Sequence, residues 1–312
     1  MKKSFYKMQP WKQVRLIVDS DAACECDDQY AIAHALMSQK VEVRALTAEH
    51  FGANEPESAE KSYQEMKKIV SLMELEDVKV LHGCTRPMKS EIEWIASEAS
   101  DFIIEEALRK DERPLFLICQ GAVTNVASAL IKNPEIGKNM TVLWVGGSNY
   151  PAGGYEFNSF NDIHASNVLL SSEADIWMLP AEVYSTLQVG FEELYLKVAP
   201  YGKIGKYLYE NMIHENNRIA EMMRKNMPQK NPSDYLAFPN GGSWAFGDSC
   251  AIGLLLSTNS GDFDIVTAPR IMQDGRYSIP ENGKKIRYYK NVNTRFILED
   301  FFCKLAYYYQ KI

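Results

Sequence analysis

Short, continuous runs of β-branched and other apolar residues recur along the chain, at Val14–Val18, Val41–Leu46, Val78–Leu81, Leu115–Cys119, Val142–Val145 and Ile176–Leu179. Runs without a polar alternation predict strands buried on both faces. Between them, apolar residues recur with a helical period over Ser58–Met73, Glu98–Arg109, Thr124–Ile131 and Ala165–Leu170. This alternation predicts an α/β fold with an open, mostly parallel central sheet and helices on both faces. Past residue 190 the pattern changes to a polar, helix-prone stretch, Tyr201–Lys225, with breaks at Pro228 and Pro232. Asn240-Gly241-Gly242 then punctuates the chain before an apolar helix at Asp248–Leu256. Short strands near Ile265 and at Arg287–Tyr289 and a helix over Thr294–Tyr309 complete the pattern. With no repeat, low-complexity tract or linker, one domain over residues 1–312 is expected.

Composition narrows the class without changing this picture. At 312 residues, 46% hydrophobic and 24% charged, the chain can bury a large core. A net charge of -7 and scattered Lys and Arg argue against binding nucleic acid. No apolar run reaches the length that spans a bilayer. Gln9-Pro10-Trp11 follows the basic start where a signal sequence would have its apolar stretch, so a cytoplasmic protein is expected. The six cysteines are spread widely and are expected to be reduced thiols. Cys24-Glu25-Cys26 lacks a second Cys or His pair at zinc spacing.

The chemistry concentrates just after the first apolar run, in Asp19-Ser20-Asp21-Ala22-Ala23-Cys24-Glu25-Cys26-Asp27-Asp28. Carboxylates crowded at the end of a buried strand repel one another, and a bound cation or proton offsets that cost. Asp27 and Asp28 open a predicted helix, where the helix dipole alone would accommodate them. That reading leaves Asp19 and Asp21 unexplained, and both are expected to converge with Asp28. Oxygen-only ligands favour calcium or magnesium. Glycines at Gln120-Gly121-Ala122 and Gly146-Gly147 follow two further strands, at the sheet end where such folds bind ligands.

The strand-Asp-x-Asp, loop, Asp-Asp-helix order resembles the fingerprint of the inosine-uridine-preferring nucleoside hydrolases. The resemblance continues through Gln120–Ala127, Gly146-Gly147 with Glu156-Phe157-Asn158, Phe246-Gly247-Asp248 and, more loosely, Asn293–Phe302. It implies that Asp21, Asp28, Asp248 and the main-chain carbonyl of Gln120 hold a calcium ion. It further implies that Asp21 is the general base for a metal-bound water and that Asp27 binds the ribose hydroxyls. Asn54, Asn149, Glu156 and Asn158 would grip the rest of the sugar. A nucleoside substrate, a free base and ribose as products, and a homodimer or homotetramer are what the family implies.

The chain also departs from the family. Gly247 stands where many members carry a histidine before the last aspartate, the proposed acid for the departing base. A histidine-bearing loop after the third strand is missing, with Pro87–Ser90 expected to run straight into a helix. Trp244, Phe246 and Tyr155 are candidates for the wall beside the base, although Trp244 and Phe246 read more naturally as core. Glu25, in an altered loop, is expected to face solvent. His34 reads as structural, His50 as an ordinary loop residue, and His82 is left open. Two other readings stand beside the hydrolase: a non-catalytic, metal-dependent ribose or nucleoside binder, and a magnesium phosphohydrolase using Asp19 and Asp21.

Overall fold

A computed structural model describes residues 6–226, 239 and 241–309. Pro228, Pro232 and Asn240 lie outside the described residues. In chain order the strands are β1 (Val14–Ser20), β2 (Val41–Ala48), β3 (Val80–Leu81), β4 (Leu115–Gln120), β5 (Met140–Val145), β6 (Asp175–Leu179), β7 (Gln188–Gly190), β8 (Ser243–Ala245), β9 (Phe263–Thr267), β10 (Arg270–Ile271), β11 (Tyr277–Ser278) and β12 (Lys285–Tyr289). Eight of them form the central sheet in the order β3-β2-β1-β4-β5-β6-β12-β9, parallel except for β9. The predicted open, mostly parallel sheet is therefore present.

All seven residues of β1 are buried. The central strands sit between two apolar layers, one containing Leu16, Val18 and Ile118, the other Ile17, Leu117 and Cys119. Neighbouring residues of one strand thus enter opposite cores, which is why the run needs no polar alternation. Burying each such aliphatic side chain contributes about 1.5–3 kcal/mol. At its start β1 carries a buried cation, Arg15, held by the Glu106 carboxylate and by backbone carbonyls of Glu106 and Arg113. The opposite end of the strand is acidic.

Strand order decides where a ligand can enter. From β1 the chain moves outward through β2 to β3, and then returns to the other side of β1 for β4, β5 and β6. The connections after β1 and β4 diverge, opening a crevice at the carboxyl ends of these strands. The register brings those ends level, since Ser20 pairs with both Ala48 and Gln120. Asp21, Glu49 and Gly121 are therefore the first residues past three adjacent strands.

Two helices begin at this crevice, Asp28–Leu36 and Ser249–Leu256. The first is buried on nearly all sides and the second is apolar through most of its length, as expected of helices inside a large core. The long polar stretch forms the helix Gly202–Asn226, and the last helix spans Thr294–Tyr308. Pro87–Ser90 does not enter a helix directly. The chain stays irregular until Glu98, where the Ser97 and Ser100 side chains form a reciprocal cap. Among the described residues, no helix is long and apolar enough to cross a membrane.

Candidate active site

Asp21, Asp27, Asp28, Gln120 and Asp248 line one cleft at the crevice. Asp21 follows β1, Gln120 ends β4, and the other three stand at the starts of the two buried helices. One oxygen from each of Asp27, Asp28 and Asp248 lies within 4.8 Å of the others. A helix-capping role does not account for them, because neither Asp27 nor Asp248 makes a side-chain cap hydrogen bond to its own helix. Instead the backbone N–H of Asp248 donates to Asp27 Oδ2 at 3.3 Å, which joins the early and late segments of the chain. Ser20 Oγ donates to Asp28 Oδ1 at 2.6 Å and fixes that carboxylate.

All four aspartates are buried. Burial, followed by the charge of neighbouring acids, pushes Asp21, Asp28 and Asp248 well above the usual carboxylate range. Asp27 is raised to about 6, with burial the main cause. Backbone N–H groups and the positive ends of two helices supply part of the compensation. Among the described residues, no Lys or Arg lies within ion-pair distance of the four. In addition, Gln120 Oε1 is buried with no hydrogen-bond partner. An all-oxygen donor set, an excess of negative charge and an orphaned acceptor fit a hard divalent cation.

The structure separates Asp19 from this group, contrary to the expected convergence. Asp19 Oδ1 accepts from Thr47 Oγ1 at 2.6 Å and from Asn125 Nδ2 at 2.8 Å. Successive strand residues point to opposite faces, so Ser20 reaches Asp28 while Asp19 turns the other way. Asp19 has a different acidic neighbour, Glu49 just past β2, which no motif singles out. Asp19 Oδ2 and both Glu49 oxygens are buried without a fixed donor. Burial raises both groups, as expected of two carboxyls holding a proton between them. Gly121 lies where these acids meet the cleft: a Cβ there would stand 2.3 Å from Glu49 Oε2 and 2.8 Å from Asp21 Cγ.

Of the four residues assigned to the rest of the sugar beside Asp27, Asn158 lines the cleft, with its Nδ2 donating to the Val145 carbonyl at 2.9 Å. Glu156 lies directly behind it. The two Glu156 oxygens accept from the backbone N–H groups of Gly147, Asn158 and Ser159 and from the hydroxyls of Ser159 and Tyr184. In this arrangement Glu156 anchors the short helix Phe157–Asn161 that carries Asn158. Asn54 and Asn149 are exposed and outside the cleft lining. Asn149 sits in a turn with φ of 20° and donates to Ser148 Oγ.

Glu25 lines the cleft instead of facing solvent. Its loop is pulled inward by Gln29, whose side-chain amide donates to the Ala22 and Glu25 carbonyls. Burial, then Asp27 and Glu215, raises Glu25 to about 7. Trp244 and Phe246 are core residues, and Tyr155 is exposed away from the cleft. The aromatic side chains on the lining, among the described residues, are Phe157 and Tyr184.

No histidine lines the cleft among the described residues. His34 pairs with Asp300 at 2.7 Å, and His50 with Thr124 Oγ1 at 2.8 Å. Burial lowers both to about 4. His82 stacks on Tyr63 at the surface.

A doubly wound α/β sheet with a carboxylate-lined pocket at its switch point defines a class of small-molecule site. The chain itself belongs to the inosine-uridine preferring nucleoside hydrolase family, whose model matches residues 16–297. It is 24% identical over 192 residues to the pyrimidine-specific ribonucleoside hydrolase RihA of Escherichia coli O1:K1, covering 54% of this chain and 60% of that protein. The chain thus spans about 60% of the length of the curated relatives it matches. A purine-preferring ribonucleoside hydrolase from Gardnerella vaginalis shares the fold at a TM-score of 0.75 and 19% identity, over 94% of this chain and 98% of that one. The plant nucleoside hydrolase PpNRh1 does so at 0.74 and 16%, over 95% and 99%.

Proposed function

We propose that the protein hydrolyses the N-glycosidic bond of ribonucleosides to free base and ribose, with calcium as its metal. The observation that carries this reading is the meeting of Asp21, Asp27, Asp28 and Asp248 in one buried cleft with, among the described residues, no basic partner in reach. Asp21, Asp28, Asp248 and Gln120 would hold the ion. Calcium, when bound, would supply a fixed positive charge that gathers hydroxyl and water oxygens in the cleft.

The chain's own residues perform the remaining work. Cleavage passes through an oxocarbenium-like sugar, so a carboxylate-lined pocket stabilises the charge that develops. Asp21 takes a proton from the attacking water as general base. Asp27 accepts hydrogen bonds from sugar hydroxyls, and Asn158, held by Glu156, orients the sugar. Asn54 and Asn149 would reach the sugar only from the rim.

The test is incubation with inosine, uridine, cytidine, adenosine and p-nitrophenyl riboside, with reducing sugar as readout, in calcium and in chelator. Calcium-dependent release from at least one riboside is expected. Binding without release would leave a nucleoside binder, and phosphate release from p-nitrophenyl phosphate would replace the reading with a phosphohydrolase.

A further inference from the structure

Gly247 is enclosed on two sides. A Cβ built on it would stand 3.0 Å from Tyr184 Cδ2 and 3.4 Å from Asp27 Oδ2. The Tyr184 ring therefore occupies the volume into which a side chain at position 247 would project. Tyr184 ends the short helix Ala181–Tyr184 that follows β6, far in sequence from the acidic loop. Its hydroxyl donates to Glu156 Oε1 at 3.0 Å, and Glu156 anchors the helix carrying Asn158. One side chain thus touches the metal side of the cleft through Gly247 and the sugar side through Glu156.

We propose that Tyr184 is a specificity-determining residue of the cleft: its ring, in place of a side chain at 247, forms the wall against which the base lies, and its hydroxyl holds Glu156. The inference rests on the nucleoside reading above. The chemistry favours this role because a planar heterocycle is held well by an aromatic face. Phe157, the other ring on the lining, is 40% exposed, whereas Tyr184 is fixed at its tip by a hydrogen bond and along its edge by Gly247. Fixing a ring in advance lowers the ordering cost of binding.

The experiment compares wild type with Tyr184→Phe, Tyr184→Leu, Tyr184→Ala, Gly247→Ala and the Gly247→Ala/Tyr184→Ala double variant, each first checked for a cooperative melt. Readouts are kcat/KM for inosine and for uridine, and inhibition by free ribose, which has no base. Tyr184→Phe keeps the wall and loses the Glu156 bond, so both nucleosides and ribose should weaken together, by a fewfold. Removing the ring in Tyr184→Ala should shift the inosine-to-uridine ratio on the order of tenfold, with ribose inhibition as in Tyr184→Phe. Tyr184→Leu should behave the same way, and it answers the question if the alanine variant does not fold.

Gly247→Ala should impair nucleoside turnover severalfold in the wild-type background and little in the Tyr184→Ala background, a non-additivity diagnostic of direct contact. An unchanged inosine-to-uridine ratio with ribose weakened in proportion, or additive effects of the two substitutions, would overturn the proposal. If wild type releases no base, the hydrolase reading fails separately. The same ratios are then read by calorimetric titration of the two nucleosides and ribose, and they support or overturn the Tyr184 role by the same criteria.

Discussion

At the scale of single residues, the acidic cleft is a balance between repulsion and compensation. Replacing Asp21 with alanine removes the proposed base, so turnover should fall roughly a hundred- to ten-thousand-fold. The metal-free melting temperature should hold or rise, because one like charge has left a buried cluster. An Asp21→Ala variant with undiminished kcat would remove this residue from the reaction. The same cluster fixes the sign of a pH effect. Burial raises Asp27 from 3.8 to about 6 and Glu25 from 4.5 to about 7, so both bind protons more tightly folded than unfolded. Their stabilising contribution is present below about pH 4 and is lost as pH rises through 6 to 7. Thermal melts in chelator should therefore fall between pH 4 and 7, and a flat or rising profile would contradict this assignment. The gathering of Asp21, Asp27 and Asp28 was legible in the sequence because crowded acids beside a buried strand have few explanations, whereas Asp248 entered only through the family resemblance, and the fold brings all four to one cleft. Glu49 and Tyr184 were not, since a lone Glu after one strand and a lone Tyr after another acquire meaning only from their neighbours in space.

At the scale of elements, the strand ends do the positioning. Gly121 follows β4 at the level of Asp21 and Glu49, where even a methyl group collides with two carboxylates. Gly121→Ala is expected to cost about 1–3 kcal/mol as overpacking and to weaken calcium binding by displacing Asp21. Denaturant melts and a calcium titration read the two effects separately, and unchanged values for both would show that the turn has room to spare. The central strands were readable from their apolar runs. Strands β7, β8, β10 and β11, of two or three residues each, were not, because so short a pairing leaves no periodicity. The inward turn of Glu25 was equally invisible, since it depends on the Gln29 amide capturing two loop carbonyls.

At the scale of the whole molecule, six βα-like alternations indicated a parallel sheet but not the order of its strands. That order decides the location of the crevice, and it depends on which apolar faces pack together, information spread over the entire chain. Because the proposed ligands come from three separate regions, calcium should stabilise the global fold. Adding saturating calcium at pH 8 is expected to raise the melting temperature by a few degrees, and Asp248→Ala should abolish that rise. A normal calcium shift in Asp248→Ala would remove this residue from the ligand set. The joining of Asp27 to the backbone of Asp248 also bears on biosynthesis. The whole stretch from Asp21 to Asp248 must leave the ribosome before the pocket gains its last carboxylate, so a product terminated between them would hold much of the sheet and yet lack a proposed metal ligand.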